Sequence, residues 1–295
     1  MKNRSAFFLV FLAMFAMLTL TPKEGGYIWQ PEFINTAIAA LFTLLVYLTA
    51  RIAGTSKSPI GILGTGVFTL LFCPESPIFF HRDETALAEL ISTCIVPFFI
   101  SQYDRISTRE FRYGYFLMLL MGIFCSYTHD SITIPLCAAF LMMSYLQRGR
   151  FFRLACWPMV TGFAIGTTLS LLQSQFWSAD ALGNISALSE QTATGLRSVW
   201  DTKVFLVATL LTIYFIGSRN RRKRLWRIFQ EQKLMTYCLL FSFCTIPFAP
   251  LGLDNAVASV SFFCMFWVLF LSHDIFEMYR NQTPKGNRQS SPTTP

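Results

Sequence analysis

Ten times along this chain an apolar run appears that is long enough, or nearly long enough, to cross a bilayer. The runs are approximately 5–21, 33–50, 59–80, 86–100, 112–128, 131–146, 154–172, 203–217, 234–250 and 255–272. A water-soluble fold would have to bury all of them at once, and the composition leaves too little polar surface to cover them. Hydrophobic residues make up 53% of the 295 positions and charged residues 14%, against about 25% charged in an ordinary soluble domain. A soluble enzyme, a disordered protein and a disulfide-stapled secreted domain are excluded together. The expected fold is all-α, a polytopic transmembrane helix bundle of about ten spans. Several runs are shorter than the roughly 20 residues of a full span, so their helices must continue into flanking polar turns. Pro74, Glu75 and Pro77 interrupt the third run. A helix stopping at Cys73 would be too short to span, so 74–80 is expected to bend or to lie in the interface.

Ten spans put both termini on one side, and the distribution of Lys and Arg says which. The connections on the side of the termini hold 20 of the 24 Lys and Arg, from Lys2 and Arg4 through Arg219–Lys233 to Arg288. The other side holds Lys23, Arg82, Arg197 and Lys203. Acids divide the opposite way. Asp104, Glu110, Glu231, Asp274 and Glu277 accompany the basic side, and the remaining 11 of the 16 lie at or near the other. Both termini are therefore expected in the cytoplasm. The net charge of +8 reflects orientation, with membrane lipids, anionic ones at the cytoplasmic face, as the natural partner and no nucleic acid implied. The localisation that follows is an integral membrane protein.

The first run has the look of a signal peptide, with Lys2 and Arg4 ahead of an apolar stretch from Ala6 to Leu18. It is followed by Thr19-Leu20-Thr21-Pro22 and lacks a small-x-small cleavage site, so an uncleaved anchor is expected. All eight Cys fall within apolar runs without a CxxC or a Cys/His metal spacing, and read as packing residues. His81, His129 and His273 read as residues of separate loops, with no HExxH pair, and no phosphate-binding or nucleophile-elbow glycine motif occurs. Gly162-x-x-x-Gly166 reads as a helix-packing face.

Two connections are long. Residues 218–233 interleave five Arg and two Lys with Leu225, Trp226, Ile228 and Phe229, which suits a short helix lying on anionic headgroups. Residues 173–202 form the large outer segment, where Leu188, Leu196, Val199 and Trp200 would share one face of a helix. The transmembrane domain is expected over 1–281, and the polar stretch 282–295 as a disordered cytoplasmic tail.

The outer acids divide into two groups. Asp83, Asp130, Asp201 and Asp254 each stand near the start of an inward-running helix, where Asp is a preferred N-cap. Ser107-x-x-Glu110 makes a capping box on the other side. Capping leaves Glu24, Glu32, Glu75, Glu84, Glu89, His81, Arg82 and His129 without an explanation. Glu89 stands out because a carboxylate costs about 2.5–3.5 kcal/mol at the centre of a span, and less near its end.

Two of these residues, with one of the capping Asp, fall in short motifs. Lys23-Glu24-Gly25-Gly26-Tyr27-Ile28-Trp29 follows a span and precedes a long hydrophobic helix. It resembles the glycine–aromatic–Trp segment of an uncharacterised bacterial family of polytopic membrane proteins similar to the GT-C glycosyltransferase superfamily. Gly122-Ile123-Phe124-Cys125-Ser126-Tyr127-Thr128-His129-Asp130-Ser131 resembles that family's second motif, which usually carries an acid and Asn where this chain has His129 and Asp130. GT-C members transfer sugars from polyprenyl-phosphate carriers at the outer membrane face. The resemblance implies a place in the bacterial cytoplasmic (inner) membrane. It also implies an outer site with Glu24, His129 and Asp130 as catalytic candidates, to which the unexplained outer acids Glu84 and Glu89 are added. Tyr27 and Trp29 would stack on a sugar, Arg82 would meet the carrier phosphate, and His81 is a further substrate-binding candidate. An outer carboxylate would act as base or hold a divalent cation, so the cofactor stays open. Asp130 would favour the imidazolium of His129, and Pro135 one turn on could bend the sixth helix to aim the pair. A non-catalytic scaffold or assembly subunit needs none of these residues. A transporter would call for inverted repeats and polar groups at the midplane, which only Glu89 approaches.

Overall fold

A computed structural model of the chain describes residues 2–20, 31–72, 130–146, 195–246 and 256–282. It also describes short helical pieces at 90–91, 93–94, 97–98, 116, 119–120, 122–123, 157–158, 160–166 and 168–169. Among these residues every regular element is a helix and there is no strand. We label them α1 (Lys2–Leu20), α2 (Pro31–Ile52), α3 (Pro59–Phe72), α4 (Asp130–Leu146), α5 (Lys203–Ile216), α6 (Arg219–Glu231), α7 (Lys233–Thr245) and α8 (Ala256–Gln282). Three are long and apolar enough to cross a membrane, over Asn3–Leu20, Glu32–Ile52 and Val257–Arg280. The apolar stretches of α3, α4, α5 and α7 are shorter, over Pro59–Leu71, Ile134–Met143, Lys203–Ile216 and Lys233–Thr245, or at most about 21 Å at 1.5 Å per residue. The hydrocarbon core is about 30 Å thick.

The helices pack by the spacing of their inward residues. α1 buries one narrow ridge, Ala6, Val10, Met14 and Leu18, at the four-residue interval that fits a groove on a neighbour. That ridge meets α2 and α3. Phe8, Leu9 and Leu12 on its outer side are exposed, an arrangement water would penalise and hydrocarbon would not. α8 is the opposite case, buried on all sides from Ser259 to Leu271, as a central helix must be. It packs on α5, α7 and α4, and α4 in turn packs closely on α7. Trp267 on α8 donates its indole N–H to Thr212 Oγ1 on α5 at 3.1 Å, so the one polar atom of that ring is satisfied within the bundle. Pro135 lies inside α4 and is buried, as is Gly162 in the 160–166 helix. A Cβ at Gly162 would run into the Leu119 backbone carbonyl, so the packing role expected for that glycine holds there.

Several expectations need correction. The last helix continues past its apolar run to Gln282, so His273 lies in a helix rather than a loop. Asp201 is a turn residue one position ahead of the N-cap of α5, which is Thr202, and Thr202 Oγ1 bonds back to the Val199 carbonyl at 2.6 Å. Asp130 stands at the start of its helix, as the first residue of α4. In the outer segment 195–200 is helical, which puts Leu196, Val199 and Trp200 on one face, but only Val199 is buried while Leu196 and Trp200 are exposed. Residues 74–80, the caps at Asp83 and Asp254, the Ser107–Glu110 box, Leu188 and the tail beyond Gln282 lie outside the described residues.

Candidate functional site

The most elaborate polar arrangement among the described residues stands at one end of the bundle, where four parts of the chain meet. The first is the turn from α2 to α3. Gly54 closes α2 with φ 76°, the left-handed conformation that only glycine adopts without strain. A short 3-10 turn over Thr55–Lys57 follows, and Pro59 starts α3. Thr55 and Thr65 hydroxyls meet at 2.8 Å and tie the turn to α3. The second part is the start of α1, where Asn3 Nδ2 donates to the Ser56 carbonyl at 3.0 Å. The third is the end of α8. A Cβ on Gly54 would stand 3.2 Å from His273 Nε2, so the turn and the imidazole are in direct contact. The fourth is α6.

α6 runs across this end rather than along the bundle. Phe205 near the start of α5 stacks edge-on with Phe243 near the end of α7, at 5.9 Å, so the two helices are antiparallel and α6 bridges their near ends. Its inward face is apolar, with Leu225 and Ile228 buried and Phe229 against Trp267 at 4.8 Å. Beside that face runs a line of charge. Arg227 Nη2 donates to Asp274 Oδ1 at 3.0 Å, and Arg224 Nη1 stands 3.5 Å from Asp274 Oδ2. Asp274 is 9% exposed, and its Oδ2 receives no hydrogen bond among the described residues. Arg227 also reaches Glu231 at 3.7 Å, and Glu277 lies 4.0 Å from His273 and 3.9 Å from Arg280. Arg227, Glu231, His273 and Asp274, with Ile52, Ala53 and Gly54, border a cleft of about 200 Å³. Arg221 covers the Tyr214 ring at 4.0 Å, which clamps the corner between α5 and α6.

The described cations collect at this end. Arg4, Arg51, Lys57, Arg280, Lys233 and six Arg and Lys of α6 belong to it, beside the acids Glu231, Asp274 and Glu277. Arg197 and Lys203, with Glu32 and Asp201, belong to the other end. There Trp200, Phe205 and Phe243 stack in series.

Of the nine residues singled out from the sequence, Glu24, Tyr27, Trp29, His81, Arg82, Glu84, Glu89 and His129 lie outside the described residues, and Asp130 is described as the first residue of α4. Leu20 and Pro31, the helix ends that flank the Glu24–Trp29 motif, stand at the end opposite the cations. So does Phe72, which precedes the His81–Glu89 stretch. Asp274, Arg224, Arg227, His273 and Gly54 were missed by sequence reasoning. The Gly54-Thr55-Ser56-Lys57-Ser58-Pro59 stop signal was available, but no local pattern pairs residue 227 with residue 274. No group of three His, Cys, Asp or Glu that could hold a metal occurs among the described residues. Comparison with known proteins finds no family model, no curated protein and no solved structure that matches the chain.

Proposed function

We propose that this chain is a multi-pass protein of the bacterial cytoplasmic membrane with about ten spans and both termini in the cytoplasm, acting at the outer face as a GT-C-like transferase on a polyprenyl-phosphate-linked sugar. The observation that carries the reading is the polarity of the bundle. Cations gather at the end that holds Asn3, Ser56, α6 and the last turns of α8, and an end so charged is the cytoplasmic one. The helix ends flanking the two polar stretches that contain Glu24–Trp29 and His81–Glu89 stand opposite, on the face where the resembling superfamily works.

In this reading Glu24 or Asp130 serves as base or cation ligand, Arg82 and His81 meet the carrier phosphate, and Tyr27 and Trp29 stack on the sugar. Glu84 and Glu89 supply further carboxylates below the surface. His129 acts as an acid or phosphate contact, with the adjacent Asp130 charge favouring its protonated form. The test is a glycolipid-product or complementation assay beside an immunoblot. His129→Gln should lower activity by about 10²-fold or more at normal protein level. Asp130→Asn, which keeps a group able to stabilise the start of α4, should still impair it. Full activity in both variants would remove this turn from the site, and no glycolipid product from the wild-type chain would sink the transferase and leave a non-catalytic scaffold or assembly subunit.

A further inference from the structure

α6 directs its cations two ways. Arg224 and Arg227 face α8 and are engaged with Asp274. Arg219, Arg222 and Lys223 face away from it. At 3.6 residues per turn they fall with Trp226 inside an arc of about 100°, and all four side chains are exposed. None of the three cations pairs with a carboxylate among the described residues. We propose that this stripe docks on the anionic phospholipid headgroups of the leaflet at the basic end of the bundle.

Charge complementarity is the first argument, because three unpaired cations on one face match phosphate-rich anionic lipid and gain from every charge they approach. Geometry is the second. A helix lying across the ends of α5 and α7 is placed at the depth where hydrocarbon gives way to headgroups, and an indole amid cations suits that depth. The third argument separates lipid from nucleic acid. Within two turns of Asp274, Phe276 and Tyr279 are 64% and 62% exposed, and Ile216, one turn ahead of α6, is 52% exposed. Apolar side chains left outward at the level of a cationic stripe fit an interface with acyl chains on one side, and the aliphatic Ile216 offers a nucleic acid neither charge nor a ring to stack on.

The test uses the full chain, purified in uncharged detergent and titrated with phosphatidylglycerol or phosphatidylcholine, with binding read as the shift in unfolding temperature. Each cation near an anionic surface is worth about fivefold. The Arg219→Gln/Arg222→Gln/Lys223→Gln variant should therefore bind phosphatidylglycerol about a hundredfold more weakly at low salt, with phosphatidylcholine unaffected. Arg4→Gln/Arg51→Gln/Lys57→Gln removes equal charge from the same end of the bundle and should keep most of the preference. A preference equal in the two triple variants would overturn the proposal. So would inorganic phosphate or an oligonucleotide giving as large a shift as phosphatidylglycerol. Should the stripe variant misfold, the wild-type protein decides the matter: its preference must collapse at about 0.5 M salt, where exposed charges are screened within a few ångströms. A preference indifferent to salt would refute the cationic stripe as its source.

Discussion

Removing Asp274 and removing its arginines should have unequal consequences, and the inequality can be worked from exposure. The Asp274 side chain is 11% exposed, whereas those of Arg224 and Arg227 are 37% and 56% exposed. In Asp274→Ala the chain loses a charge-assisted hydrogen bond, of order 1.5–3 kcal/mol. The two guanidinium groups then turn into water or headgroups and recover most of their solvation, so the net loss should sit near the bottom of that range, about 1.5 kcal/mol. Arg224→Met/Arg227→Met keeps the apolar stems packed but strands a carboxylate that is nine-tenths buried. Leaving a buried charge without its partner costs roughly 3–5 kcal/mol, so about 3 kcal/mol is expected. Adding Asp274→Ala to the double variant removes the stranded charge and should restore stability toward the Asp274→Ala value. Unfolding of the detergent-solubilised chain by a denaturing detergent, followed by helical circular dichroism, measures all three. A loss in Asp274→Ala that equals or exceeds the loss in the double arginine variant would refute the reasoning.

Gly54→Ala should cost about 1–2 kcal/mol, because φ 76° disfavours a Cβ and that Cβ would press on His273. Adding His273→Ala should recover the contact portion only, in the same unfolding assay. Gly162→Ala, which drives a methyl into the Leu119 carbonyl, should destabilise by about 2 kcal/mol. Gly64→Ala has open space and should stabilise by roughly 0.5–1 kcal/mol through helix propensity. In a background with native cysteines replaced, an impermeant maleimide applied to intact cells should reach Ser189→Cys and spare Gln230→Cys. Labelling at position 230 would reverse the sidedness.

The helices were legible because in a membrane chain an apolar run and a buried or lipid-facing helix are nearly the same object. The runs at 5–21, 33–50, 131–146, 203–217 and 234–250 meet α1, α2, α4, α5 and α7 within a few residues at most ends. The exception is instructive. Hydropathy ends near Ser272, yet α8 continues three turns, because its further residues are held by pairing as well as by the packing of Ile275 and Met278 on the core. Asp274 meets Arg227, and Glu277 lies within reach of His273 and Arg280 on its own helix. Such pairs at three- and four-residue spacing hold a helix that hydropathy does not see. Asp201 failed as a cap for a smaller reason. Thr202 beside it is as able to occupy the N-cap position, and the choice between neighbours is made by backbone angles that composition does not fix.

The polar residues of the outer stretches were legible only as individuals, since unexplained polarity in an apolar chain can be seen one residue at a time while convergence is a tertiary fact. Asp274 shows the converse. On a side crowded with cations one acid looks like ordinary solvated charge, and its burial depends on α6, more than 40 residues away, folding across the end of the bundle. A buried ion pair is not the least costly way to hold such a helix, since apolar residues of similar volume often do as well or better. What Asp274 supplies beyond adhesion is rotation. Leu225 and Ile228 would tolerate some roll of α6 over α8, and a shift of one residue turns the helix by about 100°. With Arg227 bonded to Asp274 at 3.0 Å, that roll is stopped, and Arg219, Arg222, Lys223 and Trp226 are held facing outward.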